Sequence, residues 1–213
     1  MNALLKKSIA EFVGVTVFLT AIVAARPEHS TFALAIALGI MIIVTGPISG
    51  GHLNPAVSLY FYIKREITLG NLLAFVAAQL LGAVAGASLG SLISNKPVAG
   101  FAGNSANLPA AYLVGEVIAT AGLVWLIATL VNNKQGAWIP FSVAAWVLAA
   151  ANFTLTGAQA NPAVTFGVMF QSGLAANQGV SLIVAQLAGL LIAVVLLMIF
   201  TPAKKKRAAA KKK

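Results

Sequence analysis

The sequence predicts an all-α membrane protein built from six transmembrane helices and two re-entrant half-helices, arranged as an inverted repeat of three plus three spans. Three observations predict it. Of the 213 residues, 60% are hydrophobic and 8% charged, and the mean hydropathy is +0.93, which places the chain in the membrane class rather than among soluble domains. The apolar residues gather into six runs of spanning or near-spanning length. Finally, one stretch occurs twice: residues 48–58 and 155–165 share a Gly, an identical Asn-Pro-Ala-Val and a following hydroxyl residue in the same register.

In each copy of that stretch the Asn, Asn54 or Asn161, is suited to cap a helix, because its side-chain oxygen can accept from the first free backbone N–H groups. The Pro that follows, Pro55 or Pro162, falls at the first helical position, where a missing N–H costs nothing. Each copy therefore starts a helix, over 54–63 and over 161–171. At about 1.5 Å per residue, ten residues cover about 15 Å, half of a bilayer's hydrocarbon core.

The remaining elements follow in chain order. A short basic start, Met1 to Lys7, precedes an apolar run over 8–25. A signal peptide would fit that outline, but Glu11 lies inside the run, no small-x-small cleavage site precedes Arg26, and a similar segment recurs around Glu116, so the run reads as the first span. The second span covers 31–45 and ends at Gly46-Pro47. The third covers 69–93, and its Gly82, Gly86 and Gly90 form a small-residue stripe that allows close approach of another helix. Residues 94–109, rich in Gly, Asn and Pro, read as the connection between halves. Spans over 111–131 and 138–154, the second half-helix and a last span over 180–200 complete the chain. The organisation is a first repeat over 1–93, a connecting loop over 94–109, a second repeat over 110–201 and a basic tail over 202–213.

The offsets between halves support duplication. Asn54 to Asn161 and Gln79 to Gln186 are each 107 residues, and Glu11 to Glu116 is 105. A constant offset with matching content marks an internal repeat. Three spans per half is an odd number, so the second half lies upside down relative to the first. Of the 14 Lys and Arg, twelve fall on one side of that topology and only Arg26 and Lys96 on the other, which places both termini in the cytoplasm. Trp138 and Tyr112, at helix starts, suit the bilayer interfaces, the alternative being that they pack between helices.

With the repeat inverted, the half-helices enter from opposite faces and their capped ends meet near the midplane. Non-helical backbone at that depth is tolerated only inside protein or along a watery cavity. Gly50, Gly51, His52 and Leu53, with Gly157, Ala158, Gln159 and Ala160, are therefore expected to line a path with carbonyl acceptors. The amides of Asn54 and Asn161 supply donors at its middle. Two positive helix ends facing one another disfavour cations there.

In its doubled Asn-Pro-Ala motif within six spans, the chain resembles the aquaporin and glycerol-facilitator family of membrane channels over essentially residues 8–201. The resemblance implies an aquaporin-like right-handed bundle, a pore in each protomer and a homotetramer. Asn54, Pro55 and Ala56 with Asn161, Pro162 and Ala163 would then form the pore midplane. It also implies that Glu11 and Glu116 are buried acceptors bracing the re-entrant loops; read from the residues alone, an intramembrane carboxylate equally suggests proton coupling.

One departure from the family pattern stands out. Where most members carry Arg after the second Asn-Pro-Ala, this chain has Val164, and alignment to the family puts Leu34, Ala149 and Ala158 at the other constriction positions. Such a set has no charge and little volume, so the expectation is a broad channel for water and small uncharged solutes: glycerol, urea or neutral metalloid hydroxides. Loss of Arg removes a fixed charge and several donors, and an apolar ring can also dewet. Gln159 either restores one polar contact or braces backbone. His52 stands where family members place a pore-lining His, and its alternative is simply to hold its own loop. His29 has no evident role. Two His without Cys or paired carboxylates give no metal spacing, and no cofactor is implied.

The basic tail beyond Pro202 suits anionic lipid headgroups, and without interleaved aromatic residues it does not suit nucleic acid. The chain lacks any nucleophile and base pair or phosphate loop, which excludes an enzyme. An ion-coupled secondary transporter shares inverted repeats and broken helices, but it would normally need coupling groups at the midplane beyond two neutral amides. The expected location is the plasma (inner) membrane.

Overall fold

The computed structural model describes residues 2–200, so the basic-tail expectations lie outside the described residues. Eight helices are present among them: α1 (Ala3–Ala24), α2 (Ser30–Ser49), α3 (Pro55–Ile63), α4 (Leu69–Ser94), α5 (Ala110–Asn132), α6 (Ile139–Phe153), α7 (Pro162–Ser172) and α8 (Ala176–Phe200). Counting the short 3₁₀ turns that lead into α2 and α6, six are long and apolar enough to cross a membrane. The remaining two, α3 and α7, have nine and eleven residues, about 14 and about 17 Å of helix.

Boundaries differ from expectation in three places. Helix α1 begins at Ala3, where the Asn2 side chain accepts from Leu4 N at 2.9 Å. Helix α2 continues through Pro47 to Ser49 and stops at Gly50, whose φ of 100° supplies the left-handed cap. Proline's fixed φ is itself helical, so Pro47 in the last turn removes one hydrogen bond without ending the helix. Helix α8 starts at Ala176, earlier than apolarity alone suggests, because the connecting loop pairs with it. Ala176 N donates to Gly103 O at 3.1 Å, Ser105 N donates to the Asn177 side chain at 3.0 Å, and Gln178 donates to Ala106 O at 2.7 Å.

The halves pack alike. Helix α4 lies along α1, and α8 lies along α5. A Cβ on Gly82 would come within 2.6 Å of Phe12 O, and one on Gly86 within 2.5 Å of Thr16 O. In the second half a Cβ on Gly189 would come within 2.5 Å of Val117 O, the same contact displaced by the repeat offset. The small-residue stripe thus lets backbone meet backbone. Large apolar side chains such as Ile36, Leu73, Leu81 and Leu191 point outward, the arrangement a lipid-facing surface requires.

Candidate functional site: a cavity where the half-helices meet

The capped ends of α3 and α7 face each other. Asn54 Oδ1 accepts from Ala56 N at 2.8 Å, and Asn161 Oδ1 accepts from Ala163 N at 2.9 Å. Each amide also reaches across: Asn54 Nδ2 donates to Ala160 O, and Asn161 Nδ2 donates to Leu53 O, both at 2.8 Å. An amide nitrogen has two N–H donors, so each Asn keeps one for the cavity that both side chains line.

The loops leading to the caps have one conformation used twice. Gly50, Gly51 and Leu53 have positive φ, as do Gly157, Ala158 and Ala160. For non-glycine residues such as Leu53 (φ 50°) and Ala160 (φ 44°) this costs about 1–3 kcal/mol each. Two buried carboxylates hold the strain. Glu11 accepts from Ser49 Oγ (2.5 Å), His52 N (3.0 Å), Leu53 N (2.6 Å) and Gln79 Nε2 (2.7 Å). Glu116 accepts from the Thr156 hydroxyl, Gln159 N (3.0 Å), Ala160 N (2.7 Å) and Gln186 Nε2 (2.6 Å). Both are fully buried, and neither lines the cavity. Leu53 itself seats in a notch on α1, since a Cβ on Gly14 would lie 2.4 Å from its Cδ2.

The cavity offers about 50 Å³ to the centres of water molecules. One side is polar: Gly50, Gly51, His52, Asn54, Ala158, Gln159, Ala160 and Asn161. The rest of the lining is apolar, with Leu34, Leu38 and Ile42 from α2, Val57 and Phe61 from α3, Ile139, Val143 and Val147 from α6, Phe18 from α1, and Leu123 and Ile127 from α5. A path lined by carbonyls and amides over only part of its wall and by hydrocarbon over the rest suits solutes that hydrogen-bond without charge and replaces only part of an ion's water shell.

A family model described as major intrinsic protein matches residues 1–138 and again residues 131–213. The chain belongs to the major intrinsic protein family. Members of this family are passive channels, and the protein is a channel rather than an enzyme. Among similar proteins, Aquaglyceroporin AqpS of Rhizobium meliloti (strain 1021) is 33% identical over 170 residues, covering 78% of this chain and 72% of its own. Aquaporin-4 of Homo sapiens is 38% identical over 147 residues, covering 64% of this chain and 44% of its own. The X-ray structure of the aquaglyceroporin from Plasmodium falciparum superposes with a TM-score of 0.68 at 21% identity, covering 92% of this chain and 95% of that one, which shows the shared fold.

Several expected site residues sit elsewhere in this major intrinsic protein. Ala149 is exposed, on the face of α6 that also carries exposed Phe141, Ala145 and Asn152, and it does not line the cavity. The lining positions on α6 are Ile139, Val143 and Val147, because a two-residue shift from Val147 to Ala149 turns a helical side chain through about 200°. Val164 is buried in one cluster with Leu34 and Ala158 but is not part of the cavity wall. Leu53 and Gly157 do not line it either; the Leu53 carbonyl is taken by Asn161. Pro55 and Pro162 border a separate apolar groove between α3, α4 and α8, while Ala56 and Ala163 are fully buried.

Apart from Leu34, the apolar wall is what sequence reasoning missed. Leu34, Leu38 and Ile42 recur every fourth residue, as do Ile139, Val143 and Val147, but so do exposed Phe141, Ala145 and Ala149 on the other face of α6, so spacing alone does not single the wall out.

Proposed function

We propose that the protein conducts water and small uncharged solutes of the size of glycerol or urea, passively and without ion coupling. The observation that carries this reading is the crossed pairing of Asn54 and Asn161 with the opposing loops. It leaves one amide donor from each half free at the point where two positive helix ends meet, so a neutral acceptor is guided and a cation is turned back. An amphipathic polyol fits the divided wall, its hydroxyls along the loop carbonyls and its carbon chain along Leu38, Val143 and Val147. Glu11 and Glu116 brace the loops; with four donors each, neither has a free oxygen to carry a transported proton.

The permeation constriction in this reading is Leu34, Val147 and Ala158, with Val164 behind it. The protein assembles as a homotetramer in the plasma membrane with both termini cytoplasmic, and its basic tail contacts anionic headgroups. Support comes from the Lys and Arg asymmetry and the family resemblance. Stopped-flow light scattering of proteoliposomes tests the reading: water and glycerol or urea should equilibrate faster than in empty liposomes, with no proton-gradient dependence. Rapid water flux with complete rejection of glycerol and urea overturns the solute range. Uphill accumulation driven by a pH or sodium gradient overturns passivity.

A further inference from the structure

The ends of α3, α5 and α8 come together at one membrane face and leave a pocket of about 480 Å³ between them. It shares no wall residue with the central cavity. Helix geometry fixes what the walls present. Tyr60, Ile63 and Lys64 on α3 are spaced i, i+3, i+4, as are Val194, Leu197 and Met198 on α8, so each set is one helical face turned to the pocket. Asn132 closes the third side at the end of α5, and Arg65 follows Lys64 in the turn.

These walls differ in chemistry. Ile63, Val194, Leu197 and Met198 are apolar, and because Ile63 and Met198 are also exposed, this part continues onto the lipid-facing surface. Lys64 and Arg65 are exposed cations. Arg65 holds a left-handed φ of 60° in the turn that closes α3, where the turn closing α7 has Gly173 at 69°, so a cation stands where glycine is the less strained residue. Tyr60 is 2% exposed, with its ring packed among Val124, Ala128 and Leu190. Its hydroxyl nevertheless has no hydrogen-bond partner among the described residues and is not one of the enclosed polar atoms. The pocket is the space that Tyr60 borders, so the hydroxyl opens into it.

A neutral donor beside two fixed cations suits an anion. Glu66, next in the loop, is not part of the wall, and the carbonyl end of α3 carries only about half a negative charge. A soluble anion would leave the apolar wall unused. The chain's own tail, with seven Lys and Arg in residues 202–213, is repelled by Lys64 and Arg65. A lipid headgroup brings the charge and the hydrocarbon together, and basic pockets between spanning helices suit such headgroups.

We propose that this pocket binds an anionic glycerophospholipid, whose phosphate accepts from the Tyr60 hydroxyl and lies against Lys64 and Arg65 while an acyl chain runs along Ile63, Leu197 and Met198. The site is distinct from the basic tail. It does not rest on the channel reading, because binding is measured without flux.

Native mass spectrometry of the full chain in a non-ionic detergent tests it, by titration with phosphatidylglycerol or with phosphatidylcholine of the same acyl chains. Phosphatidylglycerol should bind more tightly, one molecule per chain ahead of any others. Lys64→Gln combined with Arg65→Gln should weaken that first site about thirtyfold, about fivefold for each cation. Tyr60→Phe, which removes only the hydroxyl, should weaken it about fivefold. Lys6→Gln combined with Lys7→Gln, two cations outside the wall, should bind as wild type does. Inorganic phosphate, added at an ionic strength matched with chloride, should displace nothing. Equal affinity for the two lipids, wild-type binding in the Lys64 and Arg65 double variant or in Tyr60→Phe, or an equal loss in the Lys6 and Lys7 double variant overturns the proposal. Displacement by inorganic phosphate overturns the lipid as the source of the anion.

Discussion

Replacing Asn161 by Ala removes a helix cap and a cross-loop bond at once, and both losses can be sized. The cap bond from Ala163 N contributes about 1 kcal/mol. The cross-loop bond leaves Leu53 O without its donor, and an unsatisfied buried carbonyl costs about 1–3 kcal/mol. Together Asn161→Ala should destabilise the fold by about 2–4 kcal/mol, which at about 2–4 °C per kcal/mol for a chain of this size is about 5–15 °C in Tm. Thermal unfolding in detergent reads the shift, and stopped-flow reads the accompanying fall in water permeability as one of the two midplane donors disappears. Asn54→Ala should behave alike, because its bonds to Ala56 N and Ala160 O are the mirror set. A Tm loss under about 2 °C together with wild-type water flux would refute the assignment of cap and clasp to this side chain.

Two further outcomes are expected. Gly86→Ala would put a Cβ 2.5 Å from the Thr16 carbonyl and force α1 and α4 apart, lowering stability by about 1–3 kcal/mol, whereas Gly70→Ala, with its nearest neighbour at 3.8 Å, should leave the melting curve unmoved or slightly raised; equal effects would remove the tight seam from the account. Val147→Phe should block flux and Ala149→Phe should not, as measured by water and glycerol entry, since only Val147 faces the cavity; the reverse ranking would restore Ala149 to the constriction.

The doubled Asn-Pro-Ala stretch carried most of what could be read without coordinates. Capping by Asn54 and Asn161, the shortness of α3 and α7, the pairing of Glu11 with Glu116 and the packing stripe at Gly82 and Gly86 all follow from residue type and spacing within a few positions. Ala149, placed by alignment to the family and not by residue type or spacing, marks where legibility ends. Apolar spans have little amphipathic contrast, since lipid and protein interior both accept hydrocarbon, so periodicity does not say which face of α6 turns inward.

The sequence by itself determined that the chain spans a membrane, that it is two inverted copies of one plan, and that each copy carries a capped half-helix. These depend on local rules of capping, hydropathy and parity, which need no knowledge of neighbours. Only the tertiary structure decided that Asn54 clasps Ala160 while Asn161 clasps Leu53, and that Val147 rather than Ala149 faces the cavity. Each is a contact between residues brought together by the crossing of two halves, and helix rotation about its own axis, which fixes them, is set by packing and not by composition.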